Sequence, residues 1–294
     1  MSEAGESLPA LVSAAWLKRE LSRRADLVLL DARVTREFPA GGAKRYAAAP
    51  DHFRDAGHIP CASFVDLVDQ LSDPSSGLNF TLPDTAVLRH GFRALGVDAD
   101  STVIAYDDGS GVWAARIWWL LRAAGHQHVA VLNGGLKAWL RAGGGLAYGP
   151  SPVPAPGDFD PIDPQPAFIS LPDVEQLAAS DAAGTLLCAL DQEVFSGERP
   201  SGAARDGHIP RSQSFPYSAL LDEDGLIDTE RVRPALAGAG LAPGEPLATY
   251  CGGGITACGV ALALVAAGYP QVRIYDGSLQ EWASDERRPV QVGG

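Results

Sequence analysis

The sequence predicts an α/β protein made of two tandem copies of one unit, each a parallel sheet with helices on both faces. Three observations predict it. Short apolar runs such as Thr102–Tyr106 and Val129–Leu132 alternate with stretches of helical periodicity such as 112–124, as strand–helix–strand crossovers require. Gly57-His58-Ile59-Pro60 recurs as Gly207-His208-Ile209-Pro210, and Gly125, Gly134 and Trp139 recur 143 positions later as Gly268, Gly277 and Trp282. Between the copies, residues 148–166 carry seven prolines, a composition that resists helix and reads as a semi-rigid linker. The predicted division is a first domain over 1–149, a linker over 150–166 and a second domain over 167–294.

Taken in order, residues 8–24 set apolar side chains at helical intervals and predict an amphipathic helix. Residues 25–33 predict a buried strand ending in polar Asp31 and Arg33. A polar stretch follows, then a predicted strand over 62–67 and a helix over 83–95 closed near Gly96. Thr102–Tyr106 predicts a strand, 107–111 a loop, 112–124 a helix, Val129–Leu132 a strand, and 135–140 a helix. In the second copy Leu247–Tyr250 predicts a strand. It breaks at Cys251 into three glycines and runs into an alanine- and leucine-rich helical pattern through 267.

The chain of 294 residues is 46% apolar and 20% charged, enough to bury a real core. Its net charge of −13 is uneven: residues 1–150 hold 15 basic and 16 acidic groups, the remainder 8 and 20. Such acidity argues against nucleic acid or an anionic membrane as partner. The N-terminus lacks the basic lead and apolar block of a secretory signal, and no apolar run is long enough for a membrane span. Cys61, Cys188, Cys251 and Cys258 form no CxxC pair and no zinc-like cluster. The expectation is a reduced, cytoplasmic protein with no metal and no cofactor.

Cys251 is the candidate nucleophile. It stands where a strand ends, before glycines whose backbone can fold back, at the positive end of a helix; N–H groups and the helix dipole together favour a thiolate. Gly252, Gly253, Gly254 and Ile255 would supply N–H groups converging on a bound sulfur, and Thr256 a hydroxyl at the helix start. At the offset of 143, Asp108 falls opposite Cys251. Cys258, one to two turns into the helix, reads as packing. His58 and His208 read as turn ties rather than acid–base groups, and Trp113, Trp118 and Trp119 as core or interdomain packing.

Five motifs together carry a resemblance: GHIP at 57–60 and 207–210, YDDGSGVWAARIWWLLRAAGH at 106–126, LNGGLKAW at 132–139, CGGGIT at 251–256 and IYDGSLQEW at 274–282. Over nearly its whole length the chain resembles the tandem-domain rhodanese-like sulfurtransferases, the thiosulfate and 3-mercaptopyruvate enzymes. The resemblance implies an inactive first domain, a catalytic second domain, a site between them and a monomer. It implies that Cys251 takes a sulfane sulfur from a small anionic donor, holds it as a persulfide and passes it to cyanide or a thiol. Asp66 matches the position where mercaptopyruvate-type members keep an aspartate near the thiol; a solvated strand-end carboxylate is the alternative.

The chain also departs from that pattern. Asp31-Ala32-Arg33 recurs as Cys188-Ala189-Leu190, Val194 stands where an arginine is expected, Gly253 replaces a serine, and the loop holds no basic residue. Arg199 and Arg205 are the candidate replacement cations, with solvated surface charge as the alternative. Cys188 would be a resolving thiol if its Cα lay within about 7 Å of that of Cys251. A phosphatase or arsenate reductase would need an arginine where Thr256 and Ala257 stand. The other reading that remains open is a non-catalytic sulfur carrier, redox sensor or binding protein.

Overall fold

The computed structural model describes residues 8–24, 26–37, 45–150, 153–179, 184–241 and 244–294. In the first half β1 (Leu11–Val12) precedes α1 (Ala14–Glu20), so the helix predicted over 8–24 is shorter than its periodicity suggests. Leu11 and Val12 pair with Val131 and Leu132, and the Ser13 hydroxyl accepts the Trp16 N–H to start α1. Next come β2 (Leu27–Asp31), the antiparallel pair β3 (Val34–Glu37) and β4 (Arg45–Ala48), α2 (Pro50–Ala56) and β5 (Ser63–Phe64). The half closes with α3 (Thr85–Ala94), β6 (Thr102–Tyr106), α4 (Val112–Ala123), β7 (Val129–Leu132) and α5 (Gly135–Arg141). The main sheet is parallel, in the order β1-β7-β6-β2-β5.

The second half repeats the scheme with α6 (Leu171–Ala179), β8 (Thr185–Cys188), α7 (Gln192–Phe195), β9 (Gln213–Ser214) and α8 (Thr229–Gly238). It ends with β10 (Leu247–Tyr250), α9 (Ile255–Ala266), β11 (Val272–Ile274) and α10 (Ser278–Trp282). Its parallel sheet runs β11-β10-β8-β9. No described helix is long and apolar enough to cross a membrane.

Two helices are apolar almost all round, and such helices must be covered on every side. Residues Val112 to Leu121 of α4 are buried in an unbroken run, as are Ala257 to Leu264 of α9. The two helices pack on each other, so one hydrophobic core runs from Leu30 and Val103 of the first half to Leu247 and Ile274 of the second. Trp113, Trp118 and Trp119 lie in it, with Trp118 Nε1 donating to the Val129 carbonyl. The proline-rich segment is an extended strap on the first half, where Gly157, Phe159 and Ile162 donate to the carbonyls of Arg93, Val97 and Ala124.

The repeated GHIP turn has the same job in both halves. His58 exchanges backbone hydrogen bonds with Ala147, and His208 with Gln291. Each ring stacks on a phenylalanine, Phe53 or Phe195, at 3.7 Å between centroids, and donates through Nδ1 to that residue's carbonyl. Both histidines are buried turn ties, as their repetition implies.

Candidate functional site

Parallel sheets present the carboxyl ends of their strands to ligands, and Cys251 stands at such an end, directly after β10. Gly254 caps α9 with φ +83°, and a Cβ there would press on the carbonyl and carboxylate of Asp276, so only glycine fits. The loop is held from outside. Cys251 N–H and Gly254 N–H both donate to Ser278 Oγ at 3.1 Å, while the carbonyls of Cys251 and Gly252 accept from Leu279 and Gln280 at 3.0 and 2.9 Å. The N–H groups of Gly252 and Gly253, and those of the first turn of α9, have no acceptor among the described residues. Cys251 itself is 2% exposed.

The first half contains the same loop with its contents in place. Ala32 and Ala189 donate to the carbonyls of Tyr106 and Tyr250; the Tyr106 and Tyr250 hydroxyls accept from Ile59 and Ile209. Leu136 donates to Asp107 as Leu279 does to Cys251, and Lys137 to Asp108 as Gln280 does to Gly252. The counterpart of Cys251 is therefore Asp107, not Asp108. The fixed offset misassigns it because the first loop, 107–111, is one residue longer.

Asp107 fills that loop. Its Oδ1 accepts the N–H groups of Gly109 and Gly111 at 2.8 and 2.9 Å; its Oδ2 accepts those of Trp113 and Ala114 at 3.1 and 3.4 Å and the Ser110 hydroxyl at 3.2 Å. Tyr217 of the second half lies across it, its hydroxyl donating to the Ser110 carbonyl at 2.8 Å. One loop is thus closed by its own carboxylate, while in the other the N–H groups of Gly252, Gly253 and the first turn of α9 have no acceptor among the described residues.

The remaining candidates have other partners. Asp66 accepts the N–H groups of Val68 and Asp69 and so caps its own turn. Arg199 is paired with Asp191 at 2.6 Å and lies 3.8 Å from Glu193, with its side chain 53% exposed. Arg205 donates to the carbonyls of Ala283 and Asp285. Arg199 is thus an exposed, paired charge, while Arg205 is half-buried and bonded to backbone carbonyls. Gly253 instead lies against Gln280, whose side-chain amide exchanges hydrogen bonds with Asn79 of the first half, so both halves flank the loop. Among the described residues no cluster of metal-binding side chains occurs.

Cys188 pairs in register with Tyr250, the residue before Cys251, and belongs to the core cluster of Ile209 and Tyr250, whereas Cys251 belongs to the cluster of Ile255 and Cys258. Burial pushes the Cys188 thiol up to about 12, and burial likewise pushes Cys258 up to about 12 despite the nearby Arg116 guanidinium. Burial disfavours the thiolate at both positions, which weighs against Cys188 as an attacking thiol. Brief treatment of the native protein with iodoacetamide at pH 8 is expected to modify Cys61 and Cys251 and to spare Cys188 and Cys258. Peptide mapping by mass spectrometry reads the pattern, and early labelling of Cys188 would contradict it.

Sequence reasoning missed Ser278, Asp276 and Arg116. The available signal was a serine in the second copy where the first has Gly135.

The model of the Rhodanese-like domain family matches residues 13–142 and 191–285. A probable 3-mercaptopyruvate sulfurtransferase of Pseudomonas aeruginosa is 39% identical, covering 96% of this chain and 98% of its own. The human 3-mercaptopyruvate sulfurtransferase is 36% identical over 93% and 91%. Among solved structures, the crystal structure of SseA from Escherichia coli, described as showing the rhodanese fold of 3-mercaptopyruvate sulfotransferases, superposes with a TM-score of 0.79. It is 31% identical and covers 92% of this chain and 99% of its own.

Proposed function

The chain belongs to the rhodanese-like sulfurtransferases, and from that premise we propose that it carries sulfur as a persulfide on Cys251, with 3-mercaptopyruvate as the preferred donor. The observation that carries the reading is the Asp107 carboxylate. An Oδ atom stands two bonds beyond Cβ, and so does the outer sulfur of a cysteine persulfide. Apart from the Gly254 N–H, which Ser278 holds, the counterparts of the donors that receive the carboxylate are thus suited to the charged outer sulfur. An N-terminal helix turn adds its dipole to that charge.

In the first step the Cys251 thiolate attacks the donor sulfur; a sulfur–sulfur bond forms, the donor's carbon–sulfur bond breaks, and pyruvate leaves as its enolate, to be protonated by solvent. In the second, a thiolate or cyanide attacks the outer sulfur, and Cys251 leaves with the electron pair as thiolate. In this reading residues 1–149 form the non-catalytic domain, because Asp107 replaces the nucleophile, and 167–294 the catalytic one.

Charge supports the donor assignment. Thiosulfate brings two negative charges and 3-mercaptopyruvate one. The loop offers N–H groups but no cation, and the second half holds 20 acidic against 8 basic residues. With cyanide as acceptor, kcat/KM for 3-mercaptopyruvate is expected to exceed that for thiosulfate by about tenfold or more, a difference of about 1.4 kcal/mol in transition-state binding. Equal values would overturn the donor assignment, and no transfer from either donor would favour a non-catalytic carrier.

A further inference from the structure

We propose that Ser278 is a positioning residue for the persulfide loop, and that the non-catalytic half acts on the loop through the turn that carries it. The inference rests on Cys251 being the site of sulfur transfer. Ser278 is fully buried with φ +51°, a conformation that L-residues adopt only at a cost. Gly135, its counterpart in the first half, has φ +53°, so both turns share this backbone path and the first satisfies it with the residue that fits without strain.

The serine hydroxyl accounts for the difference. Ser278 Oγ accepts the N–H groups of Cys251 and Gly254, the two ends of the thiol loop, and donates to the Tyr275 carbonyl at 2.9 Å. In the first half no side chain stands at Gly135, and the Asp107 carboxylate ties the loop from within, taking the N–H groups of Gly109, Gly111, Trp113 and Ala114; of their counterparts in the second loop Ser278 takes only that of Gly254. Ser278 ties its loop from behind. The loop is held closed while its inward N–H groups stay free for the outer sulfur, the kind of preorganisation that fixed donors provide.

The same turn is fastened to the first half. Asp276 pairs with Arg116 of α4 at 2.5 Å and accepts the Leu82 N–H, while Arg116 also donates to the Phe80 carbonyl. Asn133, the counterpart of Asp276, is joined across the interface in the corresponding way, exchanging hydrogen bonds with the backbone of Ile227. Residues 275–278 therefore run as a strut from the first half to both ends of the thiol loop.

Ser278→Gly tests this, because glycine keeps the backbone path and deletes only the hydroxyl; Ser278→Ala deletes it and keeps the strain. Both variants are expected to lower kcat about tenfold or more, with KM for 3-mercaptopyruvate changed less than about twofold. Alkylation of Cys251 by iodoacetamide, which needs no sulfur transfer, should slow several-fold. Ser278→Gly should melt within a few degrees of the parent protein and above Ser278→Ala. Unchanged kcat and alkylation in Ser278→Gly would overturn the proposal, and so would a collapse of its melting temperature, which would make the hydroxyl a requirement of the fold. A parent protein that is alkylated at Cys251 but never gains sulfur would instead refute the persulfide reading.

Discussion

Replacing Cys251 by serine is expected to lower sulfur transfer by at least about a thousandfold, the scale of loss when a catalytic nucleophile is removed. A serine hydroxyl is overwhelmingly protonated at neutral pH and cannot form the sulfur–sulfur bond on which a two-step transfer depends. The fold should survive, because the contacts that hold residue 251 are made by its backbone: its N–H to Ser278 Oγ and its carbonyl to the Leu279 N–H. Intact-mass measurement after exposure to 3-mercaptopyruvate should show the parent protein heavier by one sulfur atom and the variant unchanged. Sulfur retained by the variant would move the chemistry to another thiol, of which Cys61 is the exposed one.

Arg116→Leu is expected to destabilise the protein by about 3–5 kcal/mol, measured as a fall in the urea midpoint at unchanged slope. The guanidinium is fully buried, and its removal leaves the Asp276 carboxylate, 13% exposed, without the charge that balances it. It also leaves the Phe80 carbonyl without its donor. Replacing both members of such a pair by apolar groups costs less than breaking it. Arg116→Leu combined with Asp276→Leu should therefore fall less in stability than the two single losses added together. A single-variant loss below about 1 kcal/mol would mean that the pair does not join the halves. Any recovery of stability in the double variant should leave kcat low, because the turn carrying Ser278 would still lack its anchor.

Much of the site was legible in sequence because it is local. A thiol, three glycines and a helix start are consecutive residues, and their chemistry follows from chain direction alone. The strands Thr102–Tyr106, Val129–Leu132 and Leu247–Tyr250 were legible for a related reason: fully buried parallel strands are short, continuous apolar runs with no polar face to blur their ends. The two-residue strand Leu11–Val12 was not, because it lies inside a helical periodicity and exists only where β7 supplies its partner; Ser63–Phe64 is the part of the predicted run 62–67 that β2 pairs.

The sequence by itself determined that this is a duplicated α/β chain whose second copy carries a nucleophile at a strand end, since periodicity, repetition and residue type are properties of the chain. Only the tertiary structure decided what surrounds that nucleophile. A one-residue difference between two glycine-rich loops cannot be located by offset, so the identity of Asp107 as the counterpart waited for matched hydrogen bonds. Arg199 and Arg205, which follow Phe195-Ser196-Gly197, are bonded to Asp191 and to the carbonyls of Ala283 and Asp285, because a long flexible side chain takes the nearest acceptor that the folded chain offers. Ser278 lies 27 residues from Cys251 and binds both ends of its loop, because two chain segments met at the end of one sheet.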